Sequence, residues 1–358
     1  MAQVGYLTSS HRHRFLFSGE DSPHHKGVRN MEKEKENKGK VKTKASKEAM
    51  RWADDDEDKG TIDREPEGMN TFDIRMSQEP DGLKAAYKIV DCIKRRGVCV
   101  CEANAPDQLL ESAYYEAMEL FEDGAFGPPL RVHDDRSMLE SQLWGQALKD
   151  EDKVVWVRDA GATSGATTSA SSSSKMNALK LLAKNMSDFA GGLGEPLQKE
   201  MNLNFDRIGH AMLSCYTGDR QYSLHLDNSH GEEGSDNEGL PDNGMRLTAT
   251  YYINTHWEPD NGVEGGLDVF LSNPRETPSS ASDAKKCPKL RVAPHADTLV
   301  LFLSEKMAHR VVRTQGKDLK WFALTVWTLN GAAMNQMSKK LLAMRSRAAK
   351  QDSDSDDD

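Results

Sequence analysis

The chain predicts a mainly β fold with supporting helices, a sheet sandwich backed by helical segments. Apolar residues recur at helical spacing over 82–96, 106–122 and 176–191, ahead of most of the strands. About eight short apolar runs, each closed by turn residues, then fill the second half. Helices followed by strands is the order of a sandwich with a helical layer. The chain shows no internal repeat and no need for a second core, so one domain is expected over residues 80–335.

In chain order, the helix 82–96 carries Lys94, Arg95 and Arg96 in its last turn and is stopped by Gly97, where glycine readily takes the left-handed conformation. A short strand, 98–101, follows. Pro106 opens the helix 106–122, since an N–H missing from the first turn has no helical partner anyway, and Asp123-Gly124 closes it. Residues 153–158 alternate as a strand. The Gly/Ala/Ser/Thr tract 161–174 has the composition of a flexible linker. After the helix 176–191, the expected strands are 203–208, 211–216, 222–226, 247–253, 266–271, 289–293, 298–303, 310–312 and 321–329.

Only 37% of the 358 residues are hydrophobic and the mean hydropathy is −0.71, low for a chain folded throughout. The apolar residues concentrate after about position 80. Residues 1–79 are therefore expected to be a disordered charged region, because segments so rich in Lys, Glu and Asp bury too little apolar area to offset chain entropy. Residues 336–358 are expected to be helical and then an acidic, disordered tail.

A net charge of −10, with no basic stripe in the folded part, argues against duplex nucleic acid as partner. No apolar run reaches the ~20 residues of a membrane span, so no membrane association is expected. The N-terminal residues lack an apolar signal core, and the five cysteines form no paired framework; Cys99 and Cys101 are expected as buried strand thiols. A cytoplasmic or nuclear monomer is the expectation.

The most informative segment is Tyr222-Ser-Leu-His225-Leu-Asp227-Asn228, answered far downstream by Ala308-His309-Arg310. Residues two apart on a strand leave the same face, so His225 and Asp227 can grip one ion together. A second imidazole from a distant strand, His309, completes a two-His, one-carboxylate face that leaves other positions of a ferrous ion open for substrate and oxygen. That is the chemistry of a non-haem iron oxygenase. His210, His230, His256 and His295 are competing ligands, each expected to face solvent. No Cys-x2-Cys spacing supports a structural zinc site.

Over about 80–330 the sequence resembles the 2-oxoglutarate- and Fe(II)-dependent prolyl 4-hydroxylase family, nearest to its oxygen-sensing prolyl hydroxylase domain group. The resemblance is carried by Met212-Leu-Ser-Cys-Tyr216, His225-x-Asp227-Asn228, Tyr251-Tyr252-Ile-Asn254 with Trp257, Gly265-Gly266-Leu-x-Val-Phe270, the approach to His309, and Ala323-Leu-Thr325-Val-Trp327. Arg96-Gly-Val-Cys-Val100 and Asp152-Lys-Val-Val-Trp156 extend it upstream. It implies a double-stranded β-helix, or jelly roll. It also implies Fe(II) on His225, Asp227 and His309, with 2-oxoglutarate and O2 as co-substrates and L-ascorbate as a supporting reductant. The implied reaction hydroxylates a prolyl residue of a protein or peptide substrate and releases succinate and CO2.

The resemblance further implies a cation for the distal carboxylate of 2-oxoglutarate, since an unpaired buried carboxylate is costly. The oxygen-sensing group places an arginine nine residues beyond the distal histidine, where this chain has Asp318, and alignment from the following strand puts Trp321 there instead. Lys320 resembles the lysine of the Lys-Trp pair in collagen-type and plant-type enzymes. It is the expected partner, provided a one-residue bulge turns it inward; Arg313 and Lys317 are the alternatives. Tyr252, Thr325, Tyr216 and Met212 are implied co-substrate contacts, and Asn228 and Tyr222 substrate contacts, while Trp327 is expected as wall. The tract 161–174 takes the place of a loop that covers the peptide, and the acidic loop 231–239 would favour a basic substrate. Two other readings remain open: a 2-oxoglutarate oxygenase acting on another residue or a nucleobase, and a catalytically inactive jelly-roll interaction module.

Overall fold

The computed structural model describes residues 61–62, 70–127, 153–157, 176–218, 222–228, 230, 242–257, 265–279, 281–314, 319–340 and 342. Two antiparallel-rich sheets face one another. The larger runs β2 (Ile74–Arg75), β3 (Val98–Glu102), β11 (Thr298–Leu303), β8 (Met245–Tyr252), β13 (Lys320–Leu329), β6 (Ala211–Thr217) and β4 (Lys153–Val157), with β5 (Arg207–Ile208) on the end of β13. The smaller runs β1 (Thr61–Ile62), β10 (Lys289–Val292), β9 (Leu267–Phe270), β12 (His309–Val311) and β7 (Tyr222–His225). This is the expected jelly roll. Among the described residues no helix is long and apolar enough to cross a membrane.

The helices lie against the outer face of the larger sheet. α1 (Gly82–Arg96) is capped by the Asp81 side chain, which accepts from the Lys84 N–H, and ends at Gly97 in the left-handed region (φ 79°). A side chain at Gly97 would collide with Met307, so that turn needs glycine both for its backbone and for its space. α2 (Asp107–Glu122) and α3 (Asn177–Gly192) pack side by side, joined where the Glu116 carboxylate accepts from the Ala178 and Leu179 N–H groups at 3.0 and 2.9 Å. β13 lies central in the larger sheet and is buried on both faces, which is why it reads as a continuous apolar run. Trp321, Ala323, Thr325, Trp327 and Leu329 face the interior cavity, while Phe322 turns the other way onto Tyr114 and Phe126.

The structure corrects several sequence expectations. A helix, α4 (Gly194–Met201), occupies what reads as a break after 191, and of the expected 203–208 strand only β5 forms. Its Pro196 falls in the first turn, where no N–H is needed, and Asn202 (φ 54°) ends it. A short helix, α5 (Ala281–Lys285), and a helix over 331–340 are also present. Packing reaches back before residue 80: β1 pairs with β10, and the buried Asn70 amide bonds the Ala293 carbonyl, the Ala293 N–H and the Thr298 hydroxyl. The charged N-terminal tract apart from β1, the 161–174 tract, the 231–239 loop and the acidic tail lie outside the described residues.

Candidate metal centre and its cavity

The two sheets enclose a cavity of about 500 Å³. His225 and His309 are register partners on β7 and β12, so both rings rise from the same face of the smaller sheet, with centroids 4.2 Å apart. Asp227 follows His225 by two residues. Its Oδ1 lies 3.5 Å from His225 Nε2 and 3.6 Å from His309 Nε2. One ligand atom from each of the three falls within 4.8 Å of the others. Neighbouring ligands of an ion bound at ~2.1 Å are roughly 3 Å apart, so a shift of a few tenths of an ångström per side chain closes the set around a metal.

The surroundings aim these atoms. Asp227 Oδ2 accepts from the Thr248 hydroxyl at 2.5 Å and from the Trp327 indole N–H at 3.0 Å, which leaves Oδ1 directed at the two imidazoles. Thr248 and Trp327 are direct partners across β8 and β13, so one rung of the larger sheet holds the carboxylate. The Asn243 amide donates to the Asp227 carbonyl at 2.7 Å. His309 Nδ1 lies 3.1 Å from the Met307 carbonyl, the arrangement that keeps a proton on Nδ1 and a lone pair on Nε2. Phe302 packs on the same ring, centroids 4.5 Å apart. Burial, and after it the His225 ring, push the His309 pKa down to about 4, against the pull of Asp227. Burial would push the Asp227 carboxyl up, but His309, His225 and Thr248 outweigh it and hold it below the usual carboxylate range. A neutral His309 imidazole beside an ionised Asp227 carboxylate suits a divalent cation.

Of the other expected site residues, Tyr252, Thr325, Tyr216 and Met212 line the cavity. Thr325 and Thr250 share a hydrogen bond at 3.2 Å. Lys320 does not reach the cavity. The pairing of β13 with β6 runs without a break from Lys320–Thr217 to Thr325–Met212, so the required bulge is absent, and the Lys320 ammonium sits 5.1 Å over the Phe121 ring on the helical side. Asn254 fixes this register: its side chain both accepts from the Phe322 N–H (2.7 Å) and donates to the Phe322 carbonyl (3.0 Å). Arg313 is exposed, and Lys317 lies outside the described residues. Asn228 is fully buried in bonds to Asp242, Met245 and Asn243 and holds the turn after Asp227 rather than facing a substrate. Tyr222 pairs with Val311, and its side chain lies outside the described residues.

Among the competing histidines, His256 is exposed beside Tyr114, His230 faces Glu305, and His210 sits exposed at the cavity edge. Cys99 and Cys101 are buried, as expected. Thr248 was missed as a functional residue and Trp327 passed for wall. The sequence signal for either is no more than its place in a strand that also carries cavity residues.

Residues 211–329 match the model of the 2OG-Fe(II) oxygenase superfamily. The match spans His225, Asp227 and His309. Comparison with curated proteins finds no match. Among solved structures, the chain is similar to a prolyl hydroxylase from Trichoplax adhaerens, in complex with a peptide fragment of the hypoxia inducible factor oxygen degradation domain. The identity is 17%, with 73% of this chain and 96% of that one covered, at a TM-score of 0.50. A Pseudomonas putida prolyl-4-hydroxylase gives 17% identity, covering 70% and 100%, at 0.46. A prolyl 4-hydroxylase from Phytophthora capsici gives 18%, covering 71% and 66%, at 0.44.

The iron that this superfamily implies fits the donor set: two imidazoles and one carboxylate on a single face, with open cavity beyond them. The co-substrate fits less well. Among the described residues lining the cavity, no lysine occurs, and the arginine present, Arg207, is exposed on β5 opposite Leu329, at the far end of β13 from Trp321. The distal carboxylate of 2-oxoglutarate therefore meets no buried cation in the described lining.

Proposed function

We propose that the protein is an Fe(II)-dependent dioxygenase that couples oxidative decarboxylation of a 2-oxo acid, 2-oxoglutarate in the superfamily it matches, to hydroxylation of a prolyl residue in a protein or peptide. The observation that carries this reading is the His225–Asp227–His309 face opening onto the cavity between the sheets. Iron, when bound there, supplies the activation of O2. One oxygen atom ends in the substrate C–H bond as hydroxyl. The other ends in the acid that remains when CO2 leaves the 2-oxo acid, which is succinate for 2-oxoglutarate.

The chain's own residues orient and shield. Thr248 and Trp327 hold the Asp227 carboxylate so that one oxygen points at the ion. Met307 fixes the His309 tautomer. The apolar wall of Trp321, Leu267, Val311 and Phe302 keeps water from the reacting centre. The prolyl target and a role for L-ascorbate follow from the sequence resemblance, and the peptide in the Trichoplax adhaerens complex supports a peptide as substrate. A soluble monomer of cytoplasm or nucleus is part of the same proposal.

The test is CO2 release from a 2-oxo acid by the full chain with Fe(II), with and without proline-containing peptides, against His225→Ala. Mass spectrometry of the peptides then finds the hydroxylated residue. Peptide-stimulated release that His225→Ala abolishes, with oxygen gained on proline, is expected. Oxygen gained on another residue would overturn the prolyl assignment. No release from any peptide or 2-oxo acid, in protein that binds Fe(II), would favour the interaction-module reading.

A further inference from the structure

We infer that the inner end of the cavity is a subsite for an uncharged group, so that the 2-oxo acid this protein selects has a neutral tail, such as a primary amide, rather than a second carboxylate. The inference deepens the proposed function and rests on it. Going along β13 away from the metal face, the inward side chains pass from Trp327 to Thr325 and Ala323 and end at Trp321. The indole of Trp321, 1% exposed, stands where alignment along β13 puts the arginine of the oxygen-sensing group. It stacks on Tyr216 with centroids 4.2 Å apart and meets the edge of Tyr252 at 5.8 Å. Its N–H is already spent on the Thr314 hydroxyl at 2.8 Å. Lys320 is committed to the opposite face by the unbroken register and by the Asn254 clamp on Phe322.

Among the described residues, the polar groups left at this end are neutral. The Tyr252 side chain, 1% exposed, lines the cavity and brings a hydroxyl to this end. Ser214 and the Thr250–Thr325 pair complete the set. Arg207 sits opposite Leu329, eight residues from Trp321 and roughly 26 Å along the strand. A carboxylate brought to this end leaves water for hydroxyl donors alone, and burying a charge without a counter-charge costs far more than burying a hydrogen-bonded amide. An amide oxygen accepts from the Tyr252 hydroxyl, and the rest of the tail lies on the Trp321 and Tyr216 ring faces. The residue that sets this preference is Trp321.

The decisive comparison is between 2-oxoglutarate and 2-oxoglutaramate, whose open-chain forms share a shape and differ in tail charge; affinity for the amide is counted per open-chain molecule, because its nitrogen closes onto the ketone in water. Calorimetric titration of both into the full chain loaded with Mn(II) in place of iron gives an equilibrium readout free of turnover. We expect 2-oxoglutaramate to bind at least tenfold tighter. Trp321→Arg should reverse the order, Trp321→Phe should keep it, and Tyr252→Phe should weaken the amide. Equal or tighter binding of 2-oxoglutarate by wild type overturns the inference while leaving the oxygenase reading intact. That comparison stands even if Trp321→Arg does not fold. Failure to bind Mn(II) overturns the metal-site reading and this inference together, and Mn(II) binding with neither acid taken overturns the inference along with the 2-oxo acid part of the proposed function.

Discussion

Asp227 shows how one side chain can be read from sequence in half of its role. Its place two residues after His225 on a strand end makes it a ligand candidate, because that spacing is local. The groups that aim it, Thr248 and Trp327, come from strands far apart in the chain and meet only once the order of the larger sheet is known. For the same reason Asn228, adjacent to the ligand, passed for a substrate contact, although it is buried in a turn that ties Asp227 to Asn243 and Met245. Trp327→Phe keeps the wall and removes only the N–H bonded to Asp227. It should weaken Fe(II) binding about tenfold with little change in melting temperature, since losing an outer partner of a ligand commonly costs 10–100-fold. A Co(II) titration followed by its visible absorption checks this, and unchanged affinity would mean that Thr248 alone holds the carboxylate. Asp227→Asn should abolish tight binding altogether, because the set then loses its only charge.

At the scale of elements, strand positions were legible because alternation and turn residues mark them, but register was not. The Lys320 expectation failed on that point: one residue of slip moves every side chain to the other face, and Asn254 forbids the slip. Asn254→Ala leaves the Phe322 N–H and carbonyl and the Pro294 carbonyl without their buried partner. It should destabilise the fold by roughly 3 kcal/mol, seen as a lower urea midpoint at unchanged slope. A second device braces the smaller sheet, where Asp268, fully buried on β9, pairs with Arg291 on β10 and Arg310 on β12, so one carboxylate ties three strands. Burial pushes the Asp268 carboxyl up, yet Arg291 and then Arg310 outweigh it and hold it below its ordinary value. A carboxyl lowered on folding adds stability above the unfolded value, near pH 4, and that stability is lost as pH falls from there toward the folded value. Asp268→Asn should therefore cost about 3–5 kcal/mol at pH 7, and the gap to wild type should narrow below pH 4. Urea unfolding of both proteins at pH 7 and pH 3.5 measures it; a gap that stays constant would show that the charge contributes nothing.

For the molecule as a whole, the fold class and the site's address could be read from sequence, while the domain edge could not. Composition alone drew the edge at residue 80, because the residues before it are too polar to form a core of their own. The structure shows how a polar segment is nonetheless recruited, through hydrogen bonds to a core built by others. Asn70 satisfies the Ala293 backbone and Thr298, Asp73 accepts from the Val100 N–H, and β2 extends the larger sheet by pairing with β3. Two truncations separate the readings. A chain beginning at residue 60 keeps all of these contacts and should melt within about 2 °C of the full chain. A chain beginning at residue 80 strands the Ala293 N–H and carbonyl and the Val100 N–H, and uncovers the edge of β3. Each unpaired buried group costs about 1–3 kcal/mol, so the melting temperature should fall by roughly 10 °C or more. The β3 edge is one end of the sheet whose β8–β13 rung holds Asp227, so Fe(II) affinity should fall with stability in the shorter chain. If that chain melts with the full one, the Asn70 contacts contribute nothing and the edge belongs at residue 80.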